Sequence, residues 1–239
     1  MQSDALYDEH VSWFETFRPE LDDVERDCLE RLLGAGSGRC LDLGCGTGIA
    51  IPVLVRLGWT VVGLDVSEAM LARAAEREGA SELVRGSGES LPFSDASFDA
   101  VVSLWTHTDA DDFAAMMMEA ARVLRPGCPL VYVGAHPCFV GPHSQFIYGE
   151  GIPTLHPGYA ATGRYFEGPA VGPDGLRARV GATHLPLGAF LYAFLDAGLE
   201  LDAFEELGLG DPGRLFPYRL ALRLRRVSPG DVARARMAG

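Results

Sequence analysis

Residues 39–48 combine one acidic side chain with three glycines, a pattern that can hold a small polar ligand. An apolar run carries Asp42 and ends in Gly44, Gly46 and Gly48, after which a helical pattern begins. The segment predicts a strand, a tight turn and a helix. Glycine permits positive φ and the close approach of a ligand, and the N-terminus of the helix presents unpaired N–H groups. A purely structural turn is the alternative.

The spacing of these glycines distinguishes the turn from two other ligand-binding turns. A dinucleotide-binding turn has the pattern G-x-G-x-x-G, but Ile49 occupies the position of its last glycine. A P-loop requires a lysine, and the chain contains none. The segment resembles motif I of the class I S-adenosylmethionine (SAM) dependent methyltransferases. The resemblance implies SAM as the cofactor, with its methionine part flanked by Asp42, Gly44 and Gly46. The neighbouring Leu43 and Cys45 are also expected to bind the cofactor.

A second acidic residue stands at the spacing expected of a nucleotide-binding fold. The predicted strand 60–65 ends in Asp65, about 20 residues beyond the first turn, where a carboxylate can accept hydrogen bonds from ribose hydroxyls. Helix capping is the alternative, although Ser67 already suits the N-cap position. In the family that the sequence resembles, this acid binds the ribose of SAM. The resemblance also implies that Val66 and Met70 lie beside the adenosyl group.

Residues 39–135 alternate between predicted strands and helices, which implies parallel strands with helices on both faces. The predicted strands cover 39–44, 60–65, 82–86, 98–104 and 129–135, and the helices 47–57, 67–78 and 109–125. A later helix, 187–197, and two strands, about 199–206 and 217–227, complete the pattern. The predicted fold class is α/β, a Rossmann-like, doubly wound, seven-stranded and mostly parallel sheet. The resemblance implies that the last strand is antiparallel. Ligands in such sheets bind beyond the C-terminal ends of the strands.

The segment 86–93 resembles the part of the family that holds adenine. The acid usual there is replaced by Ser87, so either Ser87 or Glu89 is expected to take the adenine amino group. Gly88 and Glu89 occupy the positions that contact adenine through the backbone. A polar surface loop is the alternative for Glu89. Leu104, at the end of the fourth strand, completes the set of implied cofactor residues.

The chain, residues 1–239, is predicted to form a single methyltransferase domain with additions to its core. Residues 1–34 predict an N-terminal helical arm, in which the resemblance implies that Tyr7 closes over SAM; packing on the sheet edge is the alternative. Residues 136–183 are rich in Gly and Pro but contain aromatic residues, which indicates an ordered lid over the substrate. The remaining divisions are the SAM-binding core 35–135, the C-terminal helix and strands 184–227, and the tail 228–239.

Methyl transfer to a hydroxyl or an amine can use a base, and histidine is the candidate here. His107 follows the fourth strand and His136 ends the fifth. Because these strands are predicted neighbours, both imidazoles are expected to face one substrate. No pair of potential ligands has a convincing metal-binding spacing, so no metal is expected. Three further residues are predicted to contact the acceptor, with structural roles as the alternative for the histidines: Trp105, His143 and His184.

The amino-acid composition of the chain limits the kinds of molecule that it is expected to bind. The formal net charge is −13 and every basic residue is arginine, which disfavours a nucleic-acid substrate and excludes a catalytic lysine. No apolar stretch has the length of a membrane span, and the first residues lack a signal-peptide pattern. The five cysteines are scattered, as expected of free thiols in a reducing compartment. A cytoplasmic protein without nucleic-acid or membrane partners is therefore expected, as a monomer or a homodimer.

The resemblance implies SAM-dependent methylation of O, N or C of a small molecule, as in the quinone-biosynthesis and natural-product methyltransferases. Trp105 and the aromatic lid favour an apolar or aromatic acceptor. Three alternatives stay open. The protein could methylate RNA or protein, it could bind SAM or its product S-adenosylhomocysteine (SAH) without catalysis, or it could be a dinucleotide oxidoreductase.

Overall fold

The strand that ends in the glycine-rich turn is an interior strand of a seven-stranded sheet. The computed structural model describes residues 6–80, 82–143, 157–168, 175–208 and 216–227. The predicted tail, 228–239, and two parts of the predicted lid, 144–156 and 169–174, lie outside the described residues.

The sheet has the predicted topology. Its strands are β1 Arg39–Leu43, β2 Thr60–Asp65, β3 Glu82–Arg85, β4 Ala100–Leu104, β5 Pro129–Ala135, β8 Leu199–Leu207 and β9 Arg219–Arg226. They follow the order β3-β2-β1-β4-β5-β9-β8, and β9 runs antiparallel to both of its neighbours. The chain leaves β1 towards β2 on one side and returns to β4 on the other. A crevice forms at such a switch point, beyond the C-terminal ends of β1 and β4.

Helices cover both faces of the sheet. They are α1 Val11–Phe17, α2 Asp23–Leu32, α3 Ile51–Arg56, α4 Glu68–Ala74, α5 Phe113–Val123, α6 Leu176–Val180 and α7 Leu187–Leu195. One core cluster joins α2 and α3 to one face, and a second joins α5 and α7 to the other. The prediction of an α/β sheet with helices on both sides is confirmed.

Two local predictions were wrong in detail. The helix predicted from residue 109 begins at Phe113, because a 3-10 turn, Thr106–Thr108, intervenes after β4. Its N-cap is Asp112, whose Oδ1 accepts from the backbone N–H of Ala115 at 2.9 Å. A two-stranded antiparallel sheet that the sequence did not predict also forms in and just beyond the segment predicted as a lid. It consists of β6 Gly163–Tyr165 and β7 Ala182–His184.

Candidate functional site

A cleft of about 1260 Å³ opens beyond the C-terminal ends of the central strands. This is more than the roughly 300–1,000 Å³ of an ordinary small-molecule pocket, so a cofactor and a second small molecule fit together. The cleft is lined by the glycine turn after β1, the ends of β2 and β4, the loop after β3, the N-terminal arm and the lid. Sequence elements far apart in the chain therefore share one cavity.

The glycine turn forms one wall of the cleft. Gly44 and Gly46 adopt positive φ, 71° and 52°, which favours glycine at both positions. A Cβ on Gly44 would lie 2.5 Å from Cγ2 of Thr106, whereas one on Gly46 would meet no atom within 4 Å. Gly44 therefore allows the turn to pack against Thr106, and Gly46 leaves room for a ligand to approach the backbone.

Asp65 is fixed at the end of β2 by backbone donors. Its Oδ2 accepts from the N–H of Gly46 at 2.8 Å, and its Oδ1 accepts from that of Ser67 at 2.9 Å. Burial raises its pKa, while these two hydrogen bonds act in the opposite direction. Each carboxylate oxygen keeps a further lone pair, so the group can accept hydrogen bonds from a ligand. The predicted capping role of Ser67 is confirmed, since its Oγ accepts from the N–H of Met70.

Asp42 is the buried acid of the turn. Its side chain is 1% exposed, and burial and the nearby Asp65 raise its pKa to about 7. Asp42 Oδ2 and Thr47 Oγ1 are buried atoms without a hydrogen-bond partner among the described residues. Unpaired buried polar atoms are costly and rare, so their presence beside an open glycine turn fits a site that receives a polar group. These residues therefore fit the polar methionine part of SAM.

The residues predicted to hold the adenosyl group lie along the same wall. Val66, Met70, Ser87, Gly88, Glu89 and Leu104 all line the cleft. Ser87 Oγ accepts from the N–H of Glu89 at 3.2 Å, and Glu89 Oε1 accepts from that of Asp112 at 2.8 Å. Leu43, which was predicted to bind the cofactor at the glycine turn, lies in the core on the α5 side of the sheet, because successive side chains of a strand point to opposite faces. The structure does not bring Leu43 to the cleft.

A hydrogen-bonded chain connects the N-terminal segment to the segment predicted as a lid. The Tyr7 hydroxyl donates to Asp109 Oδ1 at 2.8 Å, and Arg177 Nη1 donates to the same oxygen at 3.0 Å. Arg164 Nη2 donates to the backbone carbonyl of Asp109 at 2.8 Å. Tyr7, which the resemblance singled out, lines the cleft. No signal in the sequence indicated either arginine, because both contacts are long-range.

His107 does not face the cleft. It is 2% exposed, contacts Tyr132 through Nδ1 and the hydroxyl group, and packs edge-on against Phe113 and Phe190. Burial lowers its pKa to about 3, so the imidazole stays neutral. The prediction that His107 acts as a base on the substrate is wrong, because the 3-10 turn after β4 directs its ring into the α5–α7 core.

The other three predicted histidines also lie outside the cleft lining. His136 Nδ1 accepts from the N–H of Cys138, and its Nε2 lies 3.3 Å from a carboxylate oxygen of Glu206. Its predicted catalytic role therefore fails for the same reason, burial in a structural contact. His143 and His184 pack against each other with ring centroids 5.0 Å apart, and each contacts a backbone carbonyl through Nε2. Neither of these two histidines lines the cleft.

Trp105 lies in the cleft as predicted and is held by residues that the sequence did not single out. Its indole N–H donates to Glu25 Oε1 at 2.7 Å, and the guanidinium of Arg18 lies 5.1 Å from its ring centroid. Glu25 also accepts from Arg18 at 2.6 Å and lies 3.6 Å from Arg219. The aromatic residues around this part of the cleft are Trp13, Phe14, Phe17, Tyr165 and Tyr218.

Three other features of the described part of the chain bear on the predictions. The five cysteines are all free thiols, as predicted, and three of them are buried. No helix there is long and apolar enough to cross a membrane. No cluster of three or more potential ligands that could hold a metal ion occurs among the same residues.

The chain matches known methyltransferases in sequence. Residues 41–132 match the model of a family described as a methyltransferase domain. A demethylmenaquinone methyltransferase of Tropheryma whipplei is 34% identical over 130 residues, which cover 52% of this chain and 54% of that protein. A malonyl-[acyl-carrier protein] O-methyltransferase of Serratia marcescens is 35% identical over 113 residues, covering 46% and 44%. The chain therefore spans about half the length of the curated relatives it matches.

The fold matches solved structures over most of the chain. A SAM-dependent methyltransferase from Mesorhizobium loti superposes with a TM-score of 0.70 at 27% identity, covering 85% of this chain and 98% of that one. The [4+2]-cyclase SpnF has the same fold, with a TM-score of 0.64 at 18% identity over 95% and 96% of the two chains. The predicted resemblance to the SAM-dependent methyltransferases is confirmed by the matching segment 41–132 and by the fold, and both imply SAM as the cofactor, as predicted.

Proposed function

We propose that this protein transfers the methyl group of SAM to a small-molecule acceptor bound in the cleft between the arm and the lid. One observation carries the proposal. The glycine turn and Asp65 share a single cavity with the aromatic residues of the arm, such as Trp13 and Phe14. The cavity is large enough for two small molecules. Methyl transfer requires that two reactants meet in one enclosed site.

The residues that would hold the cofactor form groups, each of which suits a different part of SAM. Asp42, Thr47 and the backbone at Gly46 suit the polar methionine end, and Asp65 suits the ribose. Met70 and the loop Ser87–Glu89 suit the adenine. When bound, SAM supplies a methyl group that is already activated by its sulfonium centre. The protein then has only to bind, orient and shield the reactants.

Orientation and exclusion of water fall to the arm and the lid. The Tyr7–Asp109–Arg177 chain joins the two across the cleft, and Arg164 adds a second bond from the lid to the backbone of Asp109. A closed site keeps water from the reactants and holds the acceptor in the reacting geometry, which alone can supply most of the rate enhancement. No histidine of the described residues lines the cleft, so the mechanism that we infer uses orientation rather than a histidine base.

A small molecule is the acceptor class that the charge and the cleft favour. The net charge of −13 disfavours nucleic acid, and the cleft is lined by apolar and aromatic residues between paired charges. The relatives are named for demethylmenaquinone and for malonyl-[acyl-carrier protein], so they do not agree on one acceptor. A cytoplasmic location and a monomeric or homodimeric state remain part of this proposal.

Thermal unfolding with SAH tests the cofactor site. A ligand at about 100 times its Kd adds about 2.7 kcal/mol to stability, which should raise the Tm of a domain of this size by roughly 5–10 °C. Asp65→Ala should reduce the rise. The control Asp23→Ala should not, because Asp23 is an exposed residue outside the cleft lining. A rise with NAD but not with SAH would refute the assignment.

Transfer of labelled methyl groups from SAM to a panel of small molecules tests the reaction itself. Label in a small-molecule product supports the proposal. Label in bulk RNA or protein would instead favour those acceptors. Tight SAH binding without transfer to any acceptor would favour a binding protein of the same fold, since a fold does not by itself determine the reaction.

A further inference from the structure

One arginine joins the glycine turn to the N-terminal segment, and it belongs to none of the segments that resemble the cofactor motifs. Arg77 lies in the bend that follows α4. Its Nε donates to the backbone carbonyl of Thr47 at 2.9 Å, and its Nη2 lies 3.9 Å from Oε1 of Glu15 in α1. Arg77 does not line the cleft, whereas Thr47 does.

The backbone on both sides of this contact is held in place. The N–H of Arg77 donates to the carbonyl of Ala74 at 3.0 Å, and the carbonyl of Arg77 accepts from the N–H of Ala80 at 3.1 Å. The glycine turn packs directly on α4, since a Cβ on Gly48 would lie 3.0 Å from the Cβ of Ala74. The guanidinium therefore reaches Thr47 from a fixed part of the chain.

The hydroxyl group of Thr47 gives the contact its significance. Thr47 is 1% exposed, and its Oγ1 has no hydrogen-bond partner among the described residues. A threonine hydroxyl readily bonds to nearby backbone groups, so a turn that was free to relax would satisfy this hydroxyl locally. The bond from Arg77 restrains the Thr47 backbone against such relaxation. Because its donor is charged, this bond is stronger than one between neutral groups.

A carboxylate in α1 orients the guanidinium of Arg77. Glu15 Oε1 lies on the Nη2 side of that guanidinium, and Glu15 Oε2 lies 3.3 Å from Arg73 Nε. These ion pairs are partly exposed, and such pairs contribute little to stability. Their effect is on direction, because the Nη2 side of Arg77 faces Glu15 while Nε–H points at the carbonyl of Thr47.

We propose that Arg77 is a positioning residue for the amino-acid end of the cofactor, which is the methionine end of SAM and the homocysteine end of SAH. By holding the carbonyl of Thr47, Arg77 keeps the Thr47 hydroxyl turned towards the amino and carboxylate groups of the ligand. Arg77 itself touches neither group. The inference rests on the proposed function, because it concerns the residues that hold the cofactor in the same cleft. Loss of Arg77 should therefore weaken recognition of the amino-acid end and spare that of the adenosyl end.

Two ligands that share the adenosyl end test the proposal by titration calorimetry. The ligand 5′-methylthioadenosine has the adenosyl thioether of SAH but lacks its amino and carboxylate groups. Arg77→Gln should raise the Kd of SAH about tenfold and that of 5′-methylthioadenosine less than about twofold. Arg73→Gln is the matched control and should leave the ratio of the two Kd values unchanged. Arg73 also contacts Glu15, but its hydrogen bonds within the described residues go to Glu76 and not to Thr47.

A double-mutant cycle tests whether Arg77 acts through Thr47. Thr47→Val removes the hydroxyl but keeps the shape of the side chain, so it should raise the Kd of SAH by itself. In that background Arg77→Gln should raise the Kd of SAH less than about twofold further, because the hydroxyl that Arg77 positions is already absent. A residue that merely stabilised the fold would have the same effect in both backgrounds.

The outcomes separate this inference from the proposed function. Thermal unfolding without ligand shows whether each variant is folded, and Arg77→Lys replaces Arg77→Gln if the latter fails to fold. The lysine keeps a charge beside Glu15 but has a methylene group in place of Nε–H. An equal loss of affinity for both ligands overturns the inference, as does an unchanged ratio in the Arg77 variant or the same change of ratio in Arg73→Gln. Wild-type protein that binds neither ligand would count against the proposed function instead.

Discussion

The buried carboxylate of Asp42 lowers the stability of the folded protein, and the replacement of Asp42 by asparagine measures this cost. The carboxyl group is buried, its Oδ2 has no partner among the described residues, and its pKa is raised to about 7 by burial and by Asp65. In the unfolded chain the same group ionises near pH 4. Between about pH 4 and pH 7 the folded protein therefore holds a proton that the unfolded chain has lost.

The sign and size of the effect of pH on stability follow from the linkage between proton binding and folding. Because the folded state binds more protons in this window, stability falls as the pH rises, by about 1.4 kcal/mol per pH unit, and the loss levels off above about pH 7. The cost is about 1.5 kcal/mol at pH 5 and about 4 kcal/mol at pH 8. The two values differ by about 2 to 3 kcal/mol, which urea unfolding of SAM-free protein can resolve.

Asp42→Asn removes the ionisable group. We expect the free energy of unfolding of the variant, relative to wild type, to increase by about 2 to 3 kcal/mol between pH 5 and pH 8. Any constant cost of placing an amide there is the same at both pH values and cancels. Glu119→Gln is the matched control. Its hydrogen bond from Arg122 lowers the pKa of Glu119, so ionisation is nearly complete at pH 5 and the difference should stay almost constant.

Two results would contradict the reasoning. A difference between Asp42→Asn and wild type that does not change with pH would mean that Asp42 is not a buried carboxyl group with a raised pKa. The variant should also lose part of the rise in Tm with SAH, although the SAM-free protein gains stability at pH 8. If the SAH response stayed intact, Asp42 would lie outside the contacts of the cofactor.

The remaining predictions concern the arm and the core histidine. Tyr7→Phe removes the bond to Asp109 and should weaken SAH binding about 3- to 10-fold by calorimetry. Arg177→Gln should act in the same direction, and the double variant should lose less than the product of the two effects, because both residues bind one carboxylate. His107→Phe should leave SAH affinity unchanged but destabilise the fold by about 1–3 kcal/mol, since the Tyr132 hydroxyl loses its partner. Wild type should also lose stability as the pH falls from about 6.5 towards 3, a loss that this variant lacks.

The cofactor end could be predicted because its geometry is local. Asp42, Gly44, Gly46 and Asp65 lie in two short segments, and the right-handed βαβ connection brings the ends of β1 and β2 together. The ligands of such a turn are largely backbone groups, which depend on glycine positions and strand ends. The glycine positions and the strand ends can both be predicted from the spacing of residues in the sequence.

The direction of a side chain at a strand end depends on more than the local sequence pattern. Leu43 follows Asp42 by one residue, so the alternation along β1 sends the two side chains to opposite faces. His107 follows β4 by three residues, and the 3-10 turn between them decides where the imidazole points. A rule based on strand ends finds the correct loop but not the correct side chain. The histidine base was predicted by such a rule and failed for this reason.

The acceptor end could not be predicted because its contacts join distant parts of the chain. Trp105 contacts Glu25 across 80 residues of sequence, and Arg219 contacts Asp22 across 197. With 20 basic and 33 acidic residues, the sequence allows hundreds of charge pairs, and only the packing of α2 against the sheet selects the contacts that form. The proposed donor end of the cleft is thus formed largely by two neighbouring βα turns, whereas the proposed acceptor end is formed by side chains from distant parts of the chain. Local pattern therefore predicts the donor end, and the acceptor end has to be inferred from the contacts that the folded chain brings together.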